Sequence, residues 1–170
     1  MAFKMWLKNI MVVATVVMMS VKVDSSQTMM KDMTKNFLKA YGECQQELHL
    51  TDDTARDLMF FWKEDYEVTS REAGCTILCL SKKLEIIDPE GKLHKGKTAD
   101  FIKQHGSDEE TAQKVIDVLH ACEASAVPNE DHCIMALGVA TCFKKEIHKL
   151  NWAPDTEVLL EELMAEMSER

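Results

Sequence analysis

Glycine and proline are scarce in this sequence, six and three residues of 170, and that shortage sets aside the turn-rich β sandwiches and barrels. No run of strict polar–apolar alternation is present, so no strand is required. Positive charge is short as well. Against 29 aspartates and glutamates stand 20 lysines and arginines, a formal net charge of −9. A nucleic-acid binder would carry a basic stripe, so no nucleic acid is expected as a partner. No apolar run reaches the roughly 20 residues that span a bilayer. The motifs of the common enzyme classes are missing too: G-x-S-x-G, H-E-x-x-H, the phosphate-binding glycine loop and the dinucleotide fingerprint. A secreted phospholipase needs a His-Asp pair flanked by cysteines and a glycine-rich calcium loop, and neither is visible. Asp88-Pro89-Glu90-Gly91 does not fit an EF-hand. The six histidines show no metal-ligand spacing. No catalytic residue, cofactor or metal is therefore expected.

What is present is the composition of one soluble globular domain, 46% hydrophobic and 29% charged. Lys4 and Lys8 precede the short apolar run from Ile10 to Met19, and Val23-Asp24-Ser25 follows it. A charged start, a brief apolar stretch and a small-residue exit are the marks of a secretory signal peptide. Residues 1–25 are assigned to it, leaving a chain that starts at Ser26. Their removal takes away Lys4, Lys8, Lys22 and Asp24, and the remaining chain carries −11.

Secretion gives the cysteines their meaning. Cys44, Cys75, Cys79, Cys122, Cys133 and Cys142 are an even set bound for an oxidising compartment, where disulfides are favoured. A metal site would need tight Cys pairs or Cys with His at ligand spacing. Cys75 and Cys79 stand i,i+4 on an expected helix and can reach two different neighbours. Spacing alone does not choose among the connectivities.

The rest reads as helices. Met30, Met33, Phe37, Tyr41 and Cys44 recur at three and four, one buried helical face. Thr51 or Asp52 can cap a second helix running to about Tyr66. Ser70 can cap a third, Arg71 to Leu84. Asp88 to Gly91 is a turn. Lys97 to Gln104 reads as a short helix ended by Gly106. Ser107 and Glu110 form a capping box before Thr111 to Glu123. Ala124 to Asn129 is a loop, and Asp131 to Leu150 the next helix. Beyond Pro154 comes an acidic amphipathic tail, residues 155–170. There Leu160, Leu163, Met164 and Met167 share one face, and Asp155, Glu157, Glu161, Glu162 and Glu166 supply negative charge. The plain reading is a solvated terminal helix. The sharper one is a segment whose affinity for an apolar surface rises when its carboxylates are protonated. The many methionines and aliphatic side chains suit ordinary core packing, or the deformable wall of a binding cavity.

The cysteine spacing C-x30-C-x3-C-x42-C-x10-C-x8-C resembles that of the insect odorant-binding proteins. The segments Phe61-Trp62-Lys63-Glu64, Arg71-Glu72-Ala73-Gly74-Cys75, Leu80-Ser81-Lys82-Lys83-Leu84, Asp88-Pro89-Glu90-Gly91, Leu137 to Lys144 and Lys149 to Pro154 look like the moth pheromone-binding branch. The likeness covers essentially residues 26–167. It implies an all-α fold, about six to seven helices stapled by three interlocked disulfides around an apolar ligand cavity, with residues 26–154 as the odorant-binding helical domain. The implied bridges are Cys44–Cys79, Cys75–Cys133 and Cys122–Cys142. The implied ligand is a long-chain unsaturated alcohol, aldehyde or acetate, carried through the lymph of an antennal sensillum. Matching positions put Phe37 and Phe143 on opposite sides of the ligand chain and Phe61, Trp62, Ile77, Ile116 and Leu119 along the wall. Ser81 would offer its hydroxyl to the polar head; its alternative is a bond back to its own helix.

The resemblance further implies release at lowered pH. The tail carboxylates Asp155, Glu157, Glu161, Glu162 and Glu166 would be neutralised and the tail would compete for the cavity. His94 and His120 would gain charge at milder pH than carboxylates lose it. Two departures bear on this: Lys95 stands where some members have a second histidine, and Met135 where some carry an aromatic. Partners expected besides the small hydrophobic ligand are an olfactory receptor or the neuron membrane, with a homodimer left open. Two alternatives stand beside the pheromone carrier. One is a general odorant-binding protein for plant volatiles; the other is a secreted helical signalling protein with a filled core.

Overall fold

The structure, a computed structural model, describes residues 35–104 and 108–150, and from the segment beyond them residues 153, 156, 157, 160, 161 and 164. Helix α1 runs through residues 35–48. Then follow α2 (Asp52–Met59), α3 (Arg71–Lys83), α4 (Lys95–Gln104), α5 (Glu109–Ser125) and α6 (His132–Lys149). Thr156, Glu157, Leu160, Glu161 and Met164 are helical as well. Among the described residues the only β feature is an isolated antiparallel bridge, Ile87 with Leu93.

Each start has a local cause. The side chains of Thr51, Ser70 and Asp108 accept the backbone N–H of Thr54, Ala73 and Thr111, and Asp131 accepts those of Cys133 and Ile134. These satisfy donors that a helix end leaves without partners. The cap of α5 is Asp108, not Ser107, which lies outside the described residues, as do Met30, Met33 and Gly106. α5 begins at Glu109, before Thr111, and continues past Glu123 to Ser125. Helix α2 stops at Met59, well short of Tyr66. Past that point the chain makes successive turns, Phe61 N–H to Leu58, Lys63 N–H to Phe60 and Tyr66 N–H to Lys63. Side chains hold this connector instead: the Asp57 carboxylate accepts from the Tyr66 hydroxyl at 2.8 Å and the Ser70 hydroxyl at 2.9 Å.

Helix α3 ends in a Schellman motif. Glu85 takes a left-handed conformation at φ 54°, its N–H donates to Lys82, and the Ile86 N–H donates to Ser81. From there residues 85–94 form a small flap. It turns at Gly91, whose φ of +85° needs a residue without a Cβ.

Three disulfides join the helices: Cys44–Cys79 ties α1 to α3, Cys75–Cys133 ties α3 to α6, and Cys122–Cys142 ties α5 to α6. The closest crossing is α3 on α6, where Cys75 and Cys133 have Cα atoms 4.3 Å apart. Gly74 makes it possible, because a Cβ there would overlap the Cys133 carbonyl oxygen and lie 2.9 Å from its carbon. The buried apolar residues do not form one block. One cluster centres on Ile102, Ala112, Val115, Ile116 and Ile147, a second on Ala40, Cys44 and Leu80, a third on Phe61, Val68 and Ala73. The space between them is the candidate site.

Candidate functional site

A cavity of about 340 Å³ lies among the three clusters and takes wall residues from each. From α1 comes Phe37; from α3 come Ile77, Leu80 and Ser81, with its C-cap Leu84; from α5 come Val115, Leu119 and Glu123; from α6 come Met135, Val139, Ala140 and Phe143. The α6 stripe advances by three and four residues, so one helical face supplies a whole wall. The connector after α2 adds Phe61 and Trp62, and the flap adds Ile86, Ile87 and Leu93. Aromatic rings turn a corner here. Phe61 meets Trp62 edge-on at 5.3 Å between centroids, and Trp62 meets Phe143 edge-on at 6.3 Å, within the range of favourable ring geometry.

Polar groups on the lining are few, and three are already bonded to protein. The Ser81 hydroxyl donates to the Ile77 carbonyl at 2.8 Å. Thr98 Oγ1 donates to the His94 carbonyl at 2.9 Å. Glu123 Oε1 accepts the Leu93 N–H at 3.0 Å, and its other oxygen lies 3.3 Å from His120 Nδ1. Glu123 therefore fastens the flap to α5. His132 stands exposed among the lining residues. Among the described residues no group of three or more His, Cys, Asp or Glu side chains could hold a metal ion, and no helix is long and apolar enough to cross a membrane.

Of the wall residues expected from the resemblance, Phe37, Phe61, Trp62, Ile77, Ser81, Leu119 and Phe143 all lie on the cavity. Ile116 does not. It is packed with Ile102, Ala112, Val115 and Ile147, of which Ile102 and Val115 also line the cavity. His94 is exposed, and its Nδ1 accepts the Lys97 N–H at 3.3 Å, acting as a cap for α4. Glu157, Glu161 and Met164 are exposed, whereas Leu160 is half-buried. Asp155, Glu162 and Glu166 lie outside the described residues. Glu123 and Thr98 did not figure in the sequence reading. The signal for Glu123 was an acid four residues after Leu119, on an otherwise apolar stripe of α5.

A disulfide-stapled shell of helices around an apolar cavity has the form of a site for small hydrophobic molecules. The chain belongs to the PBP/GOBP family, whose profile matches residues 26–146. It is 49% identical over 146 residues to pheromone-binding protein 2 of Epiphyas postvittana, covering 85% of this chain and 88% of that one. It is 36% identical over 137 residues to general odorant-binding protein 1 of Bombyx mori, covering 81% and 84%. Among solved structures it is similar to pheromone-binding protein 3 of Epiphyas postvittana, at 47% identity and a TM-score of 0.64, over 68% of this chain and 99% of that one.

Proposed function

We propose that this chain is secreted after removal of residues 1–25 and carries a long-chain unsaturated alcohol, aldehyde or acetate pheromone component. It would do so through sensillum lymph to an olfactory receptor and let the ligand go at lowered pH. The observation that carries the reading is the cavity itself. At about 340 Å³ it falls in the size range of small-molecule sites, and its walls are overwhelmingly apolar. Long alkenyl chains gain from dispersion against the rings of Phe37, Phe61, Trp62 and Phe143. The disulfides suit an oxidising, extracellular setting. No reaction is proposed. The test is displacement of an apolar fluorescent probe by C12 to C16 alcohols, aldehydes and acetates, with plant volatiles in a parallel series. Uptake of none of them sinks the carrier reading; preference for the volatiles favours the general odorant carrier.

Two features support release at low pH. The apolar Met164 is 65% exposed, so one member of the tail's apolar set lies on the surface, where it is available for insertion. Protonation of His94 would turn Nδ1 from acceptor to donor, remove the cap on Lys97 and loosen the flap where it joins α4. His120 acts differently from simple repulsion, because its neighbour is the Glu123 carboxylate. The deciding measurement is affinity at pH 7 and pH 5 for the full chain and for one ending at Pro154. Equal loss in both removes the tail as the competitor and leaves the histidine end of the flap.

A further inference from the structure

The walls of the cavity are not held alike. Among the described residues, the flap is joined to α5 by the Glu123 carboxylate on the Leu93 N–H and to α4 by Lys97 on the Glu85 carboxylate and the Thr98 hydroxyl on the Ile86 carbonyl. The connector after α2, which carries Phe61 and Trp62, is pinned from two sides. Asp57 holds it from α2 through Tyr66 and Ser70. From the other side, α6 reaches it with two side chains one helical turn apart: Lys144 Nζ donates to the Tyr66 carbonyl at 2.6 Å, and His148 Nε2 meets the Trp62 carbonyl at 2.8 Å. The turn-rich connector has few internal partners for these carbonyls, so the α6 donors satisfy what its own backbone does not.

Lys144 is an odd choice for mere packing. It is only 4% exposed, and burial pushes its ammonium down from the ordinary lysine range, against the pull of Asp65, Glu67 and Glu64 and with the push of Lys145. Its Nζ also stands 5.7 Å from the Phe61 ring centroid, a cation–π distance. An ammonium buried at a desolvation cost, with its one bond to the connector and its charge over a lining ring, fixes geometry more than it adds stability.

We propose that Lys144 and His148 are positioning residues which set ligand selectivity by fixing the corner made by Phe61 and Trp62. The inference rests on this cavity being the ligand site. Neither side chain is among the lining residues; both act through the backbone of residues that are. The carbonyl of Trp62 can only accept, so Nε2 of His148 carries the proton, as it does in one neutral tautomer and in the imidazolium alike.

The test uses the chain from Ser26 with Trp152→Phe, which leaves Trp62 as its single tryptophan. Lys144→Met and His148→Leu remove the donors. Lys144→Arg and His148→Gln keep one within similar reach. Two quantities are read: the anisotropy and emission maximum of Trp62, and the ratio of affinities for C12 and C16 acetates. Such positioning predicts lower anisotropy in the Met and Leu variants and an affinity ratio that moves toward unity by about three- to tenfold, the size expected for one lost hydrogen bond. The Arg and Gln variants should restore both. Met and Leu variants that melt lower but keep the parent's anisotropy and ratio overturn the proposal, because the two residues then only stabilise. If Lys144→Met does not fold, His148→Leu decides alone. A parent chain that takes up neither acetate overturns the carrier reading and the proposal with it, whereas a parent that discriminates while the variants do so equally overturns the proposal only.

Discussion

At Gly74 helix α3 packs directly on the backbone of α6, and backbone, not a flexible side chain, occupies the space its Cβ would need. Gly74→Ala should therefore destabilise the fold by about 1–3 kcal/mol through overpacking, read as a lower urea midpoint. Gly138→Ala is the control. It sits inside α6 with nothing within 4 Å of the added Cβ, so alanine should stabilise by about 0.5–1 kcal/mol. On the cavity, Phe37→Ala and Phe143→Ala should each weaken binding by about 1–3 kcal/mol, below the full core penalty because the wall can adapt. Ser81 has its proton committed to the Ile77 carbonyl, which leaves lone pairs for a ligand. Ser81→Ala should then penalise an alcohol, which donates, by roughly 1 kcal/mol more than an acetate, which only accepts. Equal losses across head groups in the displacement assay would make the hydroxyl structural.

Among the elements, α5 and α6 depend on charged caps. Backbone and hydroxyl bonds from Thr111 hold the Asp108 carboxyl below the usual aspartate range. The Arg71 guanidinium, 2.5 Å away, does the same for Asp131, helped by the N–H groups of Cys133 and Ile134. A carboxyl depressed in the folded state adds stability above its unfolded pKa and loses it as pH falls through the folded value. At pH 5 both caps are therefore still charged, and far-UV circular dichroism should show the helices intact between pH 7 and pH 5, with loss only below the ordinary carboxylate range. Ligand release at pH 5 would then be a local event. Melting of α5 or α6 at pH 5 would contradict this and make release a consequence of unfolding. Helix starts at Thr51 and Ser70 were readable because a cap is a local bond between near neighbours, and the start of α6 was read one residue early, at Asp131, which is its cap. The end of α2 was not, because Tyr66 is drawn away by Asp57 and by Lys144, 78 residues further on. The candidate wall residues came through resemblance alone; of them Ile116 lies off the cavity, in one packed cluster with Val115, because which face of α5 meets a neighbour is set by partners distant in the chain. Glu123 escaped because its value lies in a bond to Leu93 30 residues away, which no periodicity reports.

For the whole molecule, the bridges span separations of 35, 58 and 20 residues and overlap along the chain, so each closes a loop that contains an end of another. Mapping without reduction should find these pairs and no free thiol; Cys75 joined to Cys79 would contradict the arrangement. Replacing Cys75 and Cys133 together should destabilise more than replacing Cys122 and Cys142, by about 1 kcal/mol on loop length alone, provided calorimetry shows two-state unfolding for both.

The gap between the three core clusters also has a mechanical consequence. A folded protein holding an unfilled apolar space of about 340 Å³ occupies more volume than the same chain unfolded and hydrated. Hydrostatic pressure favours whichever state is smaller. The ligand-free protein should therefore be unusually compressible and yield to pressure early, whereas one whose cavity holds a small apolar molecule should resist.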